Sequence, residues 1–402
     1  MNEATSAAPH EDARSPLRRL VSAPARLWTN ERVRWCVLAG VAALVVYEIS
    51  REPGQQIYNQ YIRLADSFLH GRLHLDNPPP WLELATFEGR QYSHQGILPA
   101  LLLTPFVALF GPDLNLRHFA ALLGAGISMA AWSLATRIGL TGWRRVAAWA
   151  FPVFGTTIWF EAKTGHTWGV AALTSALFLF LALNEYFGPR RLVVVGLFVG
   201  LAGLSRPPAM LALLALAVAV RHPKRIAQLA LGALGPLIVM LGYNYSRFGG
   251  LIDKSQQLHY VHDDYRKHRP PGQFSLAHVP QNLYSWFFLG PQFRQEFPYI
   301  FPSYLGMSLP LTSPAFVKAF AAGRERWLWL GAVCVVGPAA LHYANGFSQF
   351  GMRYLLDAVP FLSALMFLAL RDGRAHGYVA LLAASVAINA FGVAYTNVFD
   401  LV

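Results

Sequence analysis

Apolar runs divide the sequence near residues 33–49, 97–111, 117–138, 146–162, 168–187, 191–204, 207–221, 226–246, 306–322, 326–346, 353–370 and 374–397. Several are long and free of charge, which suits helices that cross a hydrocarbon layer of roughly 30 Å better than it suits a soluble core. The pattern predicts an all-α polytopic membrane protein: a disordered cytoplasmic segment over 1–32 and a single transmembrane domain over 33–402. Two long polar stretches, 50–96 and 247–305, interrupt it as loops. Within the first, IYNQYIRLADSFLHGRL (57–73) has a helical period. Ile57, Tyr58, Tyr61, Leu64, Ala65, Phe68 and Leu69 fall on one side, with Asn59, Arg63, Asp66 and His70 in a stripe on the other, so an amphipathic helix lying on the membrane surface is expected.

The basic residues fix the expected orientation. Arg137, Arg144 and Arg145, then Arg190 and Arg191, then Arg221, Lys224 and Arg225, then Arg324 and Arg326, then Arg371 and Arg374 all flank apolar runs and read as cytoplasmic. Arg14, Arg18, Arg19, Arg26 and Arg32 precede the first run and place the N-terminus there too. Counting every run as a crossing gives twelve. The basic clusters require 97–138 to cross an odd number of times, so a re-entrant 97–111 and eleven crossings are expected. The pair of short runs about Ser205, Arg206, Pro207 and Pro208 reads as a hairpin with a polar tip. Broken spans of this kind survive only where protein or a water-filled cavity covers the freed backbone groups.

Composition narrows the class further. The chain has 402 residues, 54% hydrophobic and 13% charged, with a net charge of +12. Because that excess sits at the ends of apolar runs, topology explains it and no nucleic-acid partner is expected. Cys36 and Cys334 both lie in apolar runs, which supports neither a disulfide framework nor a thiolate metal site. No short apolar h-region with a small-residue cleavage site precedes the first span. No GxxxxGK[ST] or GxGxxG stands between a strand and a helix, so nucleotide-driven chemistry is unsupported. The polar elements 50–96, EAKTGH (161–166), the SRPP tip, 247–305 and QFGMR (349–353) all fall on the outer face, which points to an extracytoplasmic site at the mouth of a cavity.

LADSFLHGRL, EGRQYSHQGILPALLLTPFVALFG, GLAGLSRPPAML, FPSYLGMSLPLTSPAF and QFGMRYLLDAVPFL together resemble the polytopic glycosyltransferases of the GT-C fold. Among these the chain is most similar to the dolichyl-phosphate-mannose-protein mannosyltransferase-like bacterial membrane proteins. The resemblance runs from about residue 33 onward. It implies a polyprenyl-phosphate-linked sugar as donor, a hydroxyl acceptor on a glycan, lipid or protein, and an active site on the outer face of the cytoplasmic membrane. Such transfer needs a base near the acceptor and positive charge at the phosphate that leaves.

The family keeps its acids at the start of the surface helix, where this sequence has Asn59 and Gln60. Asp66 and Asp76 are therefore the candidate catalytic carboxylates, with an Asp66–Arg63 surface pair as the plainer reading of Asp66. Arg206, Arg353, Lys163, His94 and His166 are candidates for holding the donor phosphate. For Arg353 the alternative is a pair with Asp357, one turn on. No carboxylate is available to Arg206 in its neighbouring runs. Asp263 and Asp264 are candidates on the acceptor side. No metal ligand set is assigned, because the histidines and acids are scattered, and a divalent metal stays an open alternative. Other readings remain: loss of the acids to give an inactive lipid-carrier-binding or accessory protein, or a transporter of an anionic lipid or solute.

Overall fold

The computed structural model describes residues 30–258, 272–323, 325–374 and 376–399. Most of the described chain is helix. Helix α1 (Glu31–Ile49) begins where the Asn30 side chain accepts from the Arg32 N–H at 3.1 Å. The surface helix α2 (Gln60–Leu69) buries Tyr61, Leu64 and Ala65 and leaves Asn59, Arg63 and Asp66 half-buried, as the period demands. Between α2 and α3 (Leu98–Phe110) lies a hairpin that periodicity does not announce, β1 (Leu84–Phe87) against β2 (Arg90–Ser93). Its two turn residues, Glu88 and Gly89, both have positive φ (49° and 73°), the turn hand that matches strand twist.

The bundle continues through α4 (Leu116–Arg137), α5 (Gly142–Phe154), α6 (Ile158–Thr164), α7 (Thr167–Phe187) and α8 (Leu192–Ser205). A break at Arg206 and a 3-10 turn (Pro207–Leu211) then lead to α9 (Ala212–Val220) and α10 (Pro223–Phe248). The broken pair is the hairpin expected from SRPP. The 247–305 region carries only short elements among its described residues: α11 (Ser255–Leu258), α12 (Val279–Phe287) and a small β3–β4 ribbon (Gln292–Phe293 and Ile300–Phe301). After α13 (Leu309–Thr312) and a 3-10 segment (Pro314–Ala322) come α14 (Arg326–Ala340), a 3-10 turn (Arg353–Ala358), α15 (Val359–Arg371) and α16 (Tyr378–Phe399).

Contacts define two ends. At one end Asn115 reaches the Gly54 carbonyl, Gln60 N–H reaches Thr167, Gly96 abuts the Ser205 carbonyl and Gly351 abuts Thr157. Every polar element proposed for the outer face and described in the structure meets here. At the other end Arg137 lies against Gly188, Arg371 against Gly139, Arg191 pairs with Glu185 and Trp327 packs on Tyr186. The basic clusters thus share one end, as expected of residues held on one side of a membrane.

Helix α3 starts beside Ser205 and ends at Asp113, whose carbonyl accepts from Gln55 Nε2 at 3.3 Å, so both its termini are at the loop end. At 13 residues it is roughly 20 Å long and lies along α2 instead of crossing. Among the described residues α3, α8, the Pro207–Val220 stretch and α14 are shorter apolar helices. Five helical runs are long and apolar enough by themselves to cross a membrane: Leu116–Arg137, Thr167–Phe187, Pro223–Phe248, Arg353–Arg371 and Tyr378–Val398. The Arg353–Arg371 run is 94% buried and forms the centre, whereas Pro223–Phe248 and Tyr378–Val398 are 28% and 33% buried and present apolar side chains outward.

Candidate functional site

The loop end carries two polar constellations. The first is an open cavity of about 480 Å³ lined by Asn59, Arg63, Asp66, Arg72, Asp76 and Asp113, among others. Asp66 and Asp76 therefore face the same space. Asp66 does not pair with Arg63, which donates to Asn59 Oδ1 at 3.0 Å; its neighbour is His70, 3.7 Å away. Asp76 is held between Arg72 and His74. Neither Arg206 nor Arg353 lines this cavity.

The second constellation is enclosed, at the joint of α2, α6, α7, the α8–α9 break and the turn before α15. Arg206 finds a carboxylate that its own neighbourhood lacks: Asp357 Oδ2 lies 3.0 Å from its Nη1, the two separated by most of the hairpin and α14. The expected Arg353–Asp357 pair is thereby corrected. Asp357 shares a tight 3-10 turn with Arg353, and its side chain takes the guanidinium on the facing hairpin instead. Among the described residues Arg353 has no carboxylate within 4.0 Å. It is buried, stacks over Trp168 with its carbon 5.2 Å from the ring centroid, and donates to the Phe347 carbonyl at 3.3 Å.

His166 caps α7 by accepting from the Gly169 N–H at Nδ1 (2.9 Å). That bond leaves the ring proton on Nε2, which faces Glu161 Oε2 at 3.3 Å. Burial, with Arg353 nearby adding to it, pushes the His166 pKa down to about 3, so the imidazole is neutral. Gly169 is required here, since a Cβ at that position would meet Glu161 Oε2 at 2.2 Å. Glu161 is fully buried, and its carboxylate also senses Arg353 and Arg206. The Tyr61 hydroxyl closes the cluster from α2 and has no hydrogen-bond partner among the described residues.

Two expected phosphate ligands have other duties. Lys163 does not point with His166. Its ammonium donates to Glu52 Oε1 (2.6 Å), Thr396 Oγ1 (2.6 Å) and Asn397 Oδ1 (2.5 Å), which uses its three donors, and it is fully enclosed. The same Glu52 pairs with Arg117 at 3.0 Å, so Lys163 ties the start of the first loop to α6 and α16. His94 donates from Nδ1 to the Glu83 carbonyl (2.9 Å) and accepts the Gln95 amide at Nε2 (2.7 Å), a bracing role that occupies both ring nitrogens. Asp263 and Asp264 lie outside the described residues. Among the described residues no group of three or more His, Cys, Asp or Glu side chains is placed to hold a metal.

Sequence reasoning gave no role to Glu83, Glu161 or Arg247, and named Asp357 only as a partner for Arg353. The last three are charged residues inside or at the edge of apolar runs, which is itself the signal for an intramembrane polar site. Arg247 is buried near the first loop, donating to the Ser93 carbonyl (2.9 Å) and Asn244 (2.9 Å). Glu83 carried no such mark. It is half-buried, beside Trp168 and in the field of Arg353; burial nonetheless outweighs both influences and raises its pKa above the usual carboxylate value.

The bundle, with its long first loop, surface helix and polar cluster where broken helices meet, has a fold of the GT-C type. A solved structure similar to it is that of ArnT, a GT-C glycosyltransferase, from Cupriavidus metallidurans bound to undecaprenyl phosphate, at a TM-score of 0.51 and 15% identity. That match covers 85% of this chain and 61% of ArnT, so this chain spans about three-fifths of the length of its neighbour. The apo form of the same protein gives 0.46 at 16% identity. No family model matches the sequence, and no curated protein matches it.

Proposed function

We propose that this protein is a membrane glycosyltransferase that moves a sugar from a polyprenyl phosphate to a hydroxyl acceptor on the extracytoplasmic face of the cytoplasmic membrane. The observation that carries the reading is Arg353. A guanidinium buried in an apolar setting costs several kcal/mol unless an anion answers it, and among the described residues this one has no carboxylate at ion-pair distance. A lipid-borne phosphate is an anion that reaches such a depth. The GT-C fold supports the reading, as does the undecaprenyl phosphate bound by the solved neighbour. The shared end of the basic clusters supports a cytoplasmic position for it and an outer position for the site.

In this reading the acceptor oxygen attacks the anomeric carbon and passes its proton to a carboxylate. The bond from that carbon to the phosphate oxygen breaks, and the electron pair stays on the phosphate, where Arg353 and Arg206 offset the charge. Asp66 and Asp76, in the open cavity, hold the acceptor. Purified protein in lipid should transfer sugar from one member of a radiolabelled polyprenyl-phosphate-sugar panel. Arg353→Ala should weaken binding of the lipid phosphate at least about 10-fold, as loss of a charge-assisted contact implies. Equal binding by the variant would remove the basis of the reading.

Asn59 and Gln60 favour one other reading, an inactive protein that binds the lipid carrier. Arg353-dependent binding with no transfer from any donor, in the presence of an acceptor panel, is its expected result.

A further inference from the structure

We infer that the Glu83 carboxylate is the general base of the transfer, and this rests on the glycosyltransferase reading above. Three carboxylates gather around Arg206 and Arg353. Asp357 is 1% exposed and engaged by Arg206, and Glu161 is completely enclosed against His166 and the Gly169 backbone. Neither can meet a hydroxyl that arrives from outside. Glu83 is the member of the three that stays half-open.

Its backbone is fixed from two sides. The Glu83 carbonyl accepts from Gln60 Nε2 at 3.1 Å and from His94 Nδ1 at 2.9 Å, so α2 and the segment entering α3 both hold this residue in place. Loop residues are not normally braced by two buried side chains from different elements; here the bracing stops immediately before β1 and sets the direction of one side chain. The Trp168 indole then links the parts. Gln60, which holds the Glu83 carbonyl, also donates its backbone N–H to Thr167 at 3.2 Å, so Glu83 lies beside this indole; Arg353 stacks over its face at 5.2 Å, and the rings of Tyr58 and His166 lie 5.1 Å and 5.5 Å away. Glu83 and Arg353 thus share one indole as neighbour, near enough to feel each other and beyond the 4.0 Å of an ion pair. That gap is the space a reacting centre needs between the group that takes the proton and the group that steadies the phosphate.

The atoms balance without a further reactant. The acceptor hydroxyl forms the new glycosidic bond and gives its proton to Glu83, and the phosphate leaves with the electron pair beside Arg353. Because burial raises the Glu83 pKa, the base is active only above the ordinary carboxylate range. The rate should therefore rise with pH through a value above about 4.5 and then level off.

The test compares wild type with Glu83→Gln, Glu83→Asp, Asp66→Asn and, at the exposed turn of the same hairpin, Glu88→Gln. Glu83→Gln should lower kcat at least about 100-fold, abolish the rising limb of the pH profile and leave binding of unglycosylated polyprenyl phosphate unchanged. Glu83→Asp should recover part of the rate, Asp66→Asn should raise the acceptor KM more than it lowers kcat, and Glu88→Gln should match wild type. Transfer that persists in Glu83→Gln within about threefold of wild type overturns the inference and leaves the glycosyltransferase reading standing. A wild type that transfers from no donor sinks both.

Discussion

The buried ions at the loop end divide into those that answer each other and those that await something. Lys163, Arg117 and Glu52 belong to the first kind: two cations share one carboxylate, with Thr396, Asn397 and the carbonyls of Pro53 and Gly54 filling the remaining valences. Removing the shared partner strands two charges, whereas removing one cation leaves a complete pair. Glu52→Leu should therefore destabilise the protein by roughly 3–5 kcal/mol and Lys163→Met by clearly less, read as midpoints of thermal unfolding in detergent. Equal losses would mean that Arg117 does not hold Glu52. This lock was half-legible in the sequence. Lys163 at the end of an apolar run marked a buried cation, but the partner that decides its role stands 111 positions away in chain order. The same holds for Arg206 and Asp357. Asp66 illustrates the converse, since its stripe was read correctly while its company was not. Arg63 turned to Asn59 because a carboxamide one turn back on the same helix already offered an acceptor.

Among the elements, the two that shape the site are the ones that do not run straight through. α3 keeps both termini at the loop end, and the α8–α9 hairpin breaks at Arg206, and the two touch where Gly96 meets the Ser205 carbonyl. A methyl group on Gly96 would lie 2.2 Å from that oxygen, and the oxygen is backbone, so it cannot swing aside. Gly96→Ala is expected to cost about 1–3 kcal/mol and to weaken lipid-phosphate binding together with stability, because it displaces Arg206. Wild-type affinity in a folded variant would show that the contact does not position the arginine. Charge statistics called for the short α3, and the prolines after Arg206 called for the break; both are local signals. The β1–β2 hairpin went unseen because its strands are four residues each and burial follows distance from the turn, with neighbouring residues buried together at the open end, so no alternation arises.

For the whole molecule, the end-to-end separation of basic clusters from polar loops makes sidedness measurable. With Cys36 and Cys334 replaced, a cysteine at Glu88 should react with a membrane-impermeant thiol reagent on intact cells, and one at Lys224 only after permeabilisation. The reverse pattern would put the site on the cytoplasmic side. The fold class was legible across the chain because apolar length and flanking charge are properties of each segment alone. The central position of the Arg353–Arg371 run was not, since its hydropathy of 1.6 equals that of Thr167–Phe187 and falls below that of the outward-facing Pro223–Phe248.

That central run comes late among the described helices, and its place in synthesis follows from this. The stretch from Arg206 to Asp357 leaves the ribosome at about 5–20 residues per second, so the earlier helices spend on the order of ten seconds in the membrane around a space without its occupant. Arg206 waits through that interval without Asp357, and only the arrival of residues 353–371 neutralises it. Assembly of this bundle therefore drives a central post between walls already raised, and that step is the same one that delivers Arg353 to its place.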